Sequence, residues 1–178
     1  MRCLPVLLIA SVSSALTVAA SRPVAAFERQ WHVGANAGWA AVSWNDATHG
    51  GLGGGAHFTY GLTDAYNALV EVSGTFHRVY ANTPPLRVWS GAAGVAYTLD
   101  VLQWVPYFGV LVGGYRFDGA ELRDADHRLG FQLALGLDYR LRREWGIGVQ
   151  LRYHTFSDDP LQTHYVTAFG RLEYMWGW

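Results

Sequence analysis

The sequence has almost no cysteine and no lysine. Cys3 is the only cysteine among 178 residues, and all 13 basic residues are arginine. A single thiol near the N-terminus excludes a disulfide framework, a cysteine-based zinc site and a cysteine nucleophile from the rest of the chain. Charged residues make up only 15% of the chain, and 14 acidic residues slightly outnumber the arginines. Nucleic-acid binding, which needs a basic surface, is not indicated by this balance.

Long apolar runs are also rare, and the one that occurs lies at the N-terminus. Arg2 precedes an apolar stretch at residues 4–20, and small residues at 24–26 suit a cleavage site. The stretch is interrupted by serines and falls short of the roughly 20 residues that a transmembrane helix needs. We therefore predict that residues 1–26 are a signal peptide removed on export, with a second possible cut after Ala20. Residues 27–178 suit a single domain.

What the sequence does contain is a repeated alternation of apolar and polar residues. The C-terminal segment 166–178 places apolar and aromatic residues at every second position, with Thr167, Arg171 and Glu173 between them. A period of two residues is that of a β-strand. Turn signals divide the rest of the chain into similar segments of about a dozen residues. The predicted strands are 30–42, 51–62, 65–78, 86–99, 104–117, 127–140, 145–156 and 163–177.

The predicted connections alternate between short and long. Short turns are expected at 63–64, 100–103 and 141–144, and longer polar loops at 43–50, 79–85, 118–126 and 157–162. Transmembrane barrels have this asymmetry, and their tilted strands need about 9–11 residues to cross the bilayer. The fold class predicted here is all-β, an eight-stranded antiparallel up-and-down transmembrane barrel. Because the apolar face of the strands is larger and carries the aromatic residues, we expect it to face lipid, with the polar face inside.

Each predicted strand has an aromatic residue on its apolar face near the same end of the barrel. Tryptophan and tyrosine favour the interface between membrane and water, because each has an apolar body and a polar tip. We therefore predict a membrane-interface girdle at the periplasmic end. Its members are Trp31, Tyr60, Tyr66, Tyr97, Trp104, Tyr139, Trp145 and Trp176.

Four segments carry a resemblance to a known family: 106–115, 136–141, 145–154 and the aromatic C-terminus. Together they resemble the small OmpA/OmpX-like outer-membrane β-barrel domains, which include opacity-type outer-membrane proteins. The resemblance implies a monomer in the outer membrane of Gram-negative bacteria, in contact with outer-membrane lipids and lipopolysaccharide. It implies no cofactor, no metal and no nucleic acid. It also implies that the barrel-assembly machinery reads Trp178 as an insertion signal, although the family more often ends in Phe.

Several charged and amide side chains fall on the inward face of the predicted strands. Eight strands leave an interior just wide enough for side chains to fill, and unpaired charges there would be costly. We therefore predict a hydrogen-bonded network that holds the barrel closed. The alternative is the lining of a narrow pore for small solutes. The predicted network consists of Glu71, Gln132, Gln150, Arg152, Arg171 and Glu173.

Arginines at the loop ends of the strands suggest a second contact. Arg78, Arg87 and Arg116 fall on the outward face there. Guanidinium groups form bidentate hydrogen bonds with phosphate. We therefore expect these arginines to contact the phosphates of lipopolysaccharide.

One segment raises the possibility of an enzyme. Residues 152–159 resemble the site of the lipid A deacylases, which are eight-stranded barrels with a Ser–His–acid set. In that family the serine follows the histidine by two residues, whereas here Ser157 follows His154 by three. This spacing departs from the geometry that a histidine needs to activate a serine hydroxyl. We therefore expect a non-enzymatic protein with a structural or surface-interaction role. A lipid A-modifying enzyme is the alternative, and a narrow pore is third.

Overall fold

The computed structural model describes residues 29–44, 47–79, 82–99, 103–120, 122–158 and 164–177. The predicted signal peptide and Trp178 lie outside these residues. Among the residues described, no helix is long and apolar enough to span a membrane. The strands are β1 (Trp31–Trp44), β2 (Ala47–Gly61), β3 (Tyr66–His77), β4 (Leu86–Thr98), β5 (Trp104–Asp118), β6 (Asp126–Arg140), β7 (Trp145–Phe156) and β8 (Tyr165–Trp176).

These strands form a closed barrel. Each strand pairs antiparallel with the next along the chain, and β8 pairs with β1 to complete the circle. At the closing seam Trp31 lies opposite Trp176, and on its other side it lies opposite Tyr60. Closure leaves no unpaired strand edge, which is the condition for β-structure to cross a bilayer. The predicted eight-stranded antiparallel barrel is confirmed.

The two faces of the strands differ as predicted. In β6, Leu129, Leu133 and Leu135 are exposed on the outside, while Gln132 and Ala134 are fully buried inside. The same alternation runs through β3, β4, β5, β7 and β8. A soluble barrel would place its leucines inside, whereas here the outer wall is apolar and suits a hydrocarbon environment.

One predicted loop is wrong. Residues 43–50 were expected to form a polar loop, but β1 and β2 stay paired to the end of the hairpin. Ser43 lies opposite Thr48, and Trp44 lies opposite Ala47, so only residues 45–46 separate the strands. Antiparallel pairing uses backbone hydrogen bonds and tolerates polar side chains where a strand extends beyond the apolar layer. Every other predicted strand end agrees with the structure within two residues.

The predicted girdle residues all lie on the outer wall near the end with the short connections. Trp31 packs on Tyr60 with ring centroids 4.2 Å apart, and Trp104 packs on Tyr139 at 4.8 Å. Tyr66 and Tyr97 meet edge to face at 5.3 Å. Trp145 instead pairs with Tyr174, which in turn stacks on Trp176. The girdle therefore consists of contacting rings rather than isolated side chains.

Candidate functional site: the barrel interior

Glycines on the inner face make room for the large polar side chains of the interior. A Cβ at Gly34 would collide with the His57 ring, and one at Gly136 would collide with the Tyr107 ring. Both glycines face their large partners from the neighbouring strand in register. The missing side chains therefore provide the space into which these rings fold.

Arg152 is the centre of the middle layer of the interior. Only 1% of this residue is exposed. Its Nη1 donates to Oε1 of Gln132 at 3.0 Å, and its Nη2 donates to Oε1 of Gln150 at 3.2 Å. Nη2 also forms an ion pair with Oε2 of Glu71, which accepts a second hydrogen bond from Asn36 at 3.4 Å. The buried charge of Arg152 is thus compensated by a carboxylate and two amides.

Arg171 is the centre of a second layer, closer to the girdle. Its Nη2 donates to Oε2 of Glu173 at 3.2 Å and to Nε2 of His57 at 2.8 Å. Its Nη1 lies 3.6 Å from Oδ2 of Asp138 and hydrogen-bonds to the Tyr107 hydroxyl. The guanidinium also lies 4.8 Å from the centroid of the Tyr107 ring. Two carboxylates therefore surround this arginine, where only Glu173 was predicted.

Tyr107 connects the two layers. Its hydroxyl accepts a hydrogen bond from Arg171 and donates one to Oε1 of Gln150 at 3.3 Å. Gln150 also accepts from Arg152, so polar contacts run without a break from one arginine to the other. The structure thus places the six predicted network residues in two groups and joins them through a residue that was not predicted. Strand β5 is apolar on both faces, so its sequence gave no alternation that would have marked Tyr107 as polar lining.

A third, largely aromatic layer fills the end of the interior near the longer loops. Tyr115 and Phe117 each pack edge to face on Phe156, at 4.9 and 5.4 Å. The Arg128 guanidinium covers this cluster, 5.4 Å from the Phe117 centroid, and pairs with Asp126 at 2.8 Å. An apolar plug with a charged cover therefore lies above the two arginine layers.

Comparison with known proteins shows the family to which the chain belongs. The family model described as "Outer membrane protein beta-barrel domain" matches residues 7–170. The chain belongs to this outer-membrane barrel family. It is therefore a protein of the bacterial outer membrane, and its apolar outer wall faces lipid. Curated proteins show no sequence match to it.

Solved structures with the same fold share little sequence with this outer-membrane barrel. Neisserial surface protein A has a TM-score of 0.70 at 15% identity, covering 81% of this chain and 96% of that one. Ail, the attachment invasion locus protein of Yersinia pestis, crystallised with the heparin analogue sucrose octasulfate, has a TM-score of 0.64 at 10% identity, covering 84% and 99%. The N-terminal β-barrel domain of Pseudomonas aeruginosa OprF has a TM-score of 0.57 at 12% identity, covering 84% and 98%. Identities this low support the shared fold and nothing finer.

The two residues of the deacylase alternative do not pair in this outer-membrane barrel. His154 is 1% exposed and points inward, with Nδ1 at 2.9 Å from the Tyr115 hydroxyl and Nε2 at 3.4 Å from Thr167. The Ser157 hydroxyl is at the surface and donates to the carbonyl of Leu129 at 3.1 Å. A general base must lie within hydrogen-bond reach of its nucleophile in a catalytic geometry, and here each group is engaged elsewhere.

The arginines expected to meet lipopolysaccharide all lie on the outside of the barrel. Arg78, Arg87 and Arg116 are exposed at the end that carries the longer loops. Nε of Arg116 lies 3.5 Å from Oδ2 of Asp118, and 55% of its side chain remains exposed. Their contact with lipopolysaccharide stays a prediction.

Proposed function

We propose that this outer-membrane barrel is a sealed, non-enzymatic scaffold that holds surface loops at the outside of the membrane. The observation that carries the proposal is the Tyr107 hydroxyl, because it joins the Arg171 and Arg152 layers into one network across the interior. An eight-stranded barrel has room for side chains but not for both side chains and a water column.

One cavity in the part of the interior that the structure describes is small. The cavity beside Tyr107, Asp138 and Arg171 has a volume of about 30 Å³. A single buried water needs roughly 10–15 Å³, so the cavity has room for about two or three waters at most. Such a cavity supports bridging hydrogen bonds rather than a conduction path, and this favours the scaffold over the narrow pore.

Electrical recording tests the sealed interior. We expect the purified barrel, inserted into planar bilayers, to give no discrete conductance steps above the protein-free bilayer at moderate voltage. A conducting porin, inserted under the same conditions, is the control for insertion and detection. Reproducible steps from the wild-type barrel would contradict the proposal and favour the pore.

A surface role rests on the longer connections of this chain, and it agrees with the descriptions of two neighbours of the same fold. The solved structures include one described as a surface protein and one described as an attachment invasion locus protein. In this chain the connections at 78–85, 119–125 and 157–164 are longer than those at 62–65, 99–103 and 141–144. In barrels of this kind the longer loops lie outside the cell, so these segments are the proposed contact surface.

Lipid A composition separates the scaffold from an enzyme. We expect mass spectra of lipid A from cells that produce the protein to match those of cells without it. Buried His154 would have to leave Tyr115 and Thr167 before it could activate a hydroxyl at the surface. Loss of an acyl chain in producing cells, abolished by His154→Ala, would contradict the non-enzymatic proposal.

A further inference from the structure

A groove of about 600 Å³ lies on the outer wall of the barrel, across strands β2 to β6. Val72 and Trp89 line one side, Leu129 lines the other, and Gly91 and Gly114 form the floor. Ligand pockets in proteins typically measure about 300–1,000 Å³, so this depression has the size of a binding site. It lies in the half of the wall nearer the longer loops, on the surface that faces lipid.

The floor of the groove is open because two residues there carry no side chain. Gly91 and Gly114 lie opposite each other in the pairing of β4 with β5, and both point outward. A Cβ at Gly114 would meet no atom within 4 Å, and one at Gly91 would meet only Cγ1 of Val72 at 4.0 Å. Glycines of the interior, such as Gly136, instead avoid collisions. The outward pair therefore creates open space rather than relieving crowding.

Trp89 forms one wall of the groove. Its ring leans over Gly74 of β3, where a Cβ would collide with it, and Phe76 meets the ring edge to face at 6.1 Å. The register places Gly74 on one side of Trp89 and Arg116 on the other. Because the ring leans towards β3, the side facing β5 stays open. Gly74 thus keeps the indole out of the groove.

The upper rim of the groove is basic. Arg116 lies beside Trp89, and His127 lies beside Arg116 on the next strand. Both residues line the groove and point outward at its loop end. Asp118 approaches Arg116 from the side of the loop, at 3.5 Å. A guanidinium with several donors above an apolar floor is complementary to a phosphate that carries a hydrocarbon chain.

We infer that this groove binds one acyl chain of lipid A, the phosphorylated lipid anchor of lipopolysaccharide, while Arg116 and His127 bind its phosphate. The position on the lipid-facing wall restricts the occupant to hydrocarbon or a second protein surface, and the basic rim selects a phosphorylated lipid of the outer leaflet. The inference goes beyond the sealed scaffold, because it concerns the outer wall and holds whether or not the interior conducts. Arg78 and Arg87 lie outside the groove lining.

Native mass spectrometry of the detergent-purified barrel with bisphosphorylated lipid A tests the groove. Gly114→Leu fills the floor, and Gly170→Leu is the matched control. Gly170 also points outward from β8, and a Cβ there would have only the Ala37 carbonyl nearby, at 3.8 Å. We expect Gly114→Leu to weaken lipid A binding about tenfold or more and Gly170→Leu to leave it unchanged. Lipid A binding that is equally strong in the two variants would overturn the inference.

A second arm tests the rim and remains informative if Gly114→Leu folds poorly. Wild-type barrel should prefer bisphosphorylated over dephosphorylated lipid A by about tenfold, and Arg116→Gln should lose that preference. Arg142→Gln, in the exposed turn after β6, should keep it. Preference for phosphate that survives in Arg116→Gln would overturn the inference. So would a stable dimer that Gly114→Leu dissolves, because the groove would then be covered by a second copy of the chain.

Discussion

At the scale of single residues, the interior follows from the cost of leaving a buried charge or polar group without a partner. The terminal nitrogens of Arg152 contact one carboxylate and two amides, and those of Arg171 contact two carboxylates, a hydroxyl and an imidazole. Removing one partner leaves the full desolvation cost of the other, so the effect of a substitution depends on which partner remains. A substitution that leaves a buried charge without a partner should therefore destabilise the barrel more than one that leaves a neutral group.

Tyr107→Phe should destabilise the barrel, because it removes the hydroxyl that joins the two arginine layers. We expect a loss of about 1–3 kcal/mol in the free energy of unfolding, measured by urea titration in detergent or lipid vesicles. Tyr139→Phe is the matched control, since its hydroxyl bonds to Gln103 at the exposed surface. A control loss as large as that of Tyr107→Phe would show that the interior hydroxyl has no special role.

Glu71→Ala should cost more, because it leaves the guanidinium of Arg152 buried without its carboxylate. The expected loss is about 3–5 kcal/mol in the free energy of unfolding, from the same titration. Glu144→Ala, in the exposed turn before β7, should change stability by less than about 0.5 kcal/mol. Unchanged stability of Glu71→Ala would mean that the ion pair contributes nothing to folding.

Gly136→Ala should strain the interior, because the added Cβ collides with the Tyr107 ring. Overpacking of this kind costs about 1–3 kcal/mol. Gly170→Ala, where the Cβ on the outer wall would make only an ordinary contact with the Ala37 carbonyl, should be nearly neutral. Comparing the urea midpoints of the two variants measures the effect, and equal midpoints would contradict the packing described here.

How much of the interior could be predicted depends on the local sequence pattern. Arg152 and Gln150 stand on a strand with clear alternation, so their inward direction follows from parity alone. Tyr107 lies on a strand that is apolar on both faces. Its position between the two arginine layers could be inferred only from the strand register, which places it opposite Gly136. Asp138 had the inward parity, but its contact with Arg171 depends on side-chain reach across the barrel.

At the scale of elements, the hydrophobic period predicts where the strands lie, but it does not predict where they end. The membrane-crossing part of each strand is marked by apolar residues on its outer face. Beyond the bilayer that requirement disappears, and a polar segment such as 47–50 can still pair through its backbone. The prediction that a polar segment forms a loop therefore fails where a hairpin extends beyond the membrane.

The extended hairpin is open to a direct test. Nuclear magnetic resonance of the refolded barrel should show cross-strand contacts between backbone protons of Ser43 and Thr48, which lie opposite each other. The signals of Val42 and His49 should show the next contacts of the same ladder. Absence of these contacts, with those of Gly38 and Gly53 present, would restore the loop that the sequence suggested.

At the scale of the whole molecule, the proposed sealed scaffold rests on an interior filled by three layers of side chains and on an apolar outer wall. The fold and its place in the outer membrane follow from features repeated in most of the strands, which is why the sequence could predict them. Tyr107, the groove on the outer wall and the basic rim above it depend on which strands lie side by side. These features required the structure.

Thiol accessibility tests most directly whether the interior is sealed from water, because the chain from residue 27 onwards contains no cysteine. Single variants Ser90→Cys in the interior, Val110→Cys on the outer wall and Ser157→Cys beside a loop would be reconstituted in lipid vesicles. A charged, water-soluble thiol reagent should modify only Ser157→Cys, and a membrane-soluble maleimide should modify Val110→Cys far more slowly, because a thiol in lipid does not ionise. Ser90→Cys should react with neither until the barrel is unfolded. Modification of Ser90→Cys by the charged reagent at the rate of Ser157→Cys would reveal a water-filled interior and contradict the account.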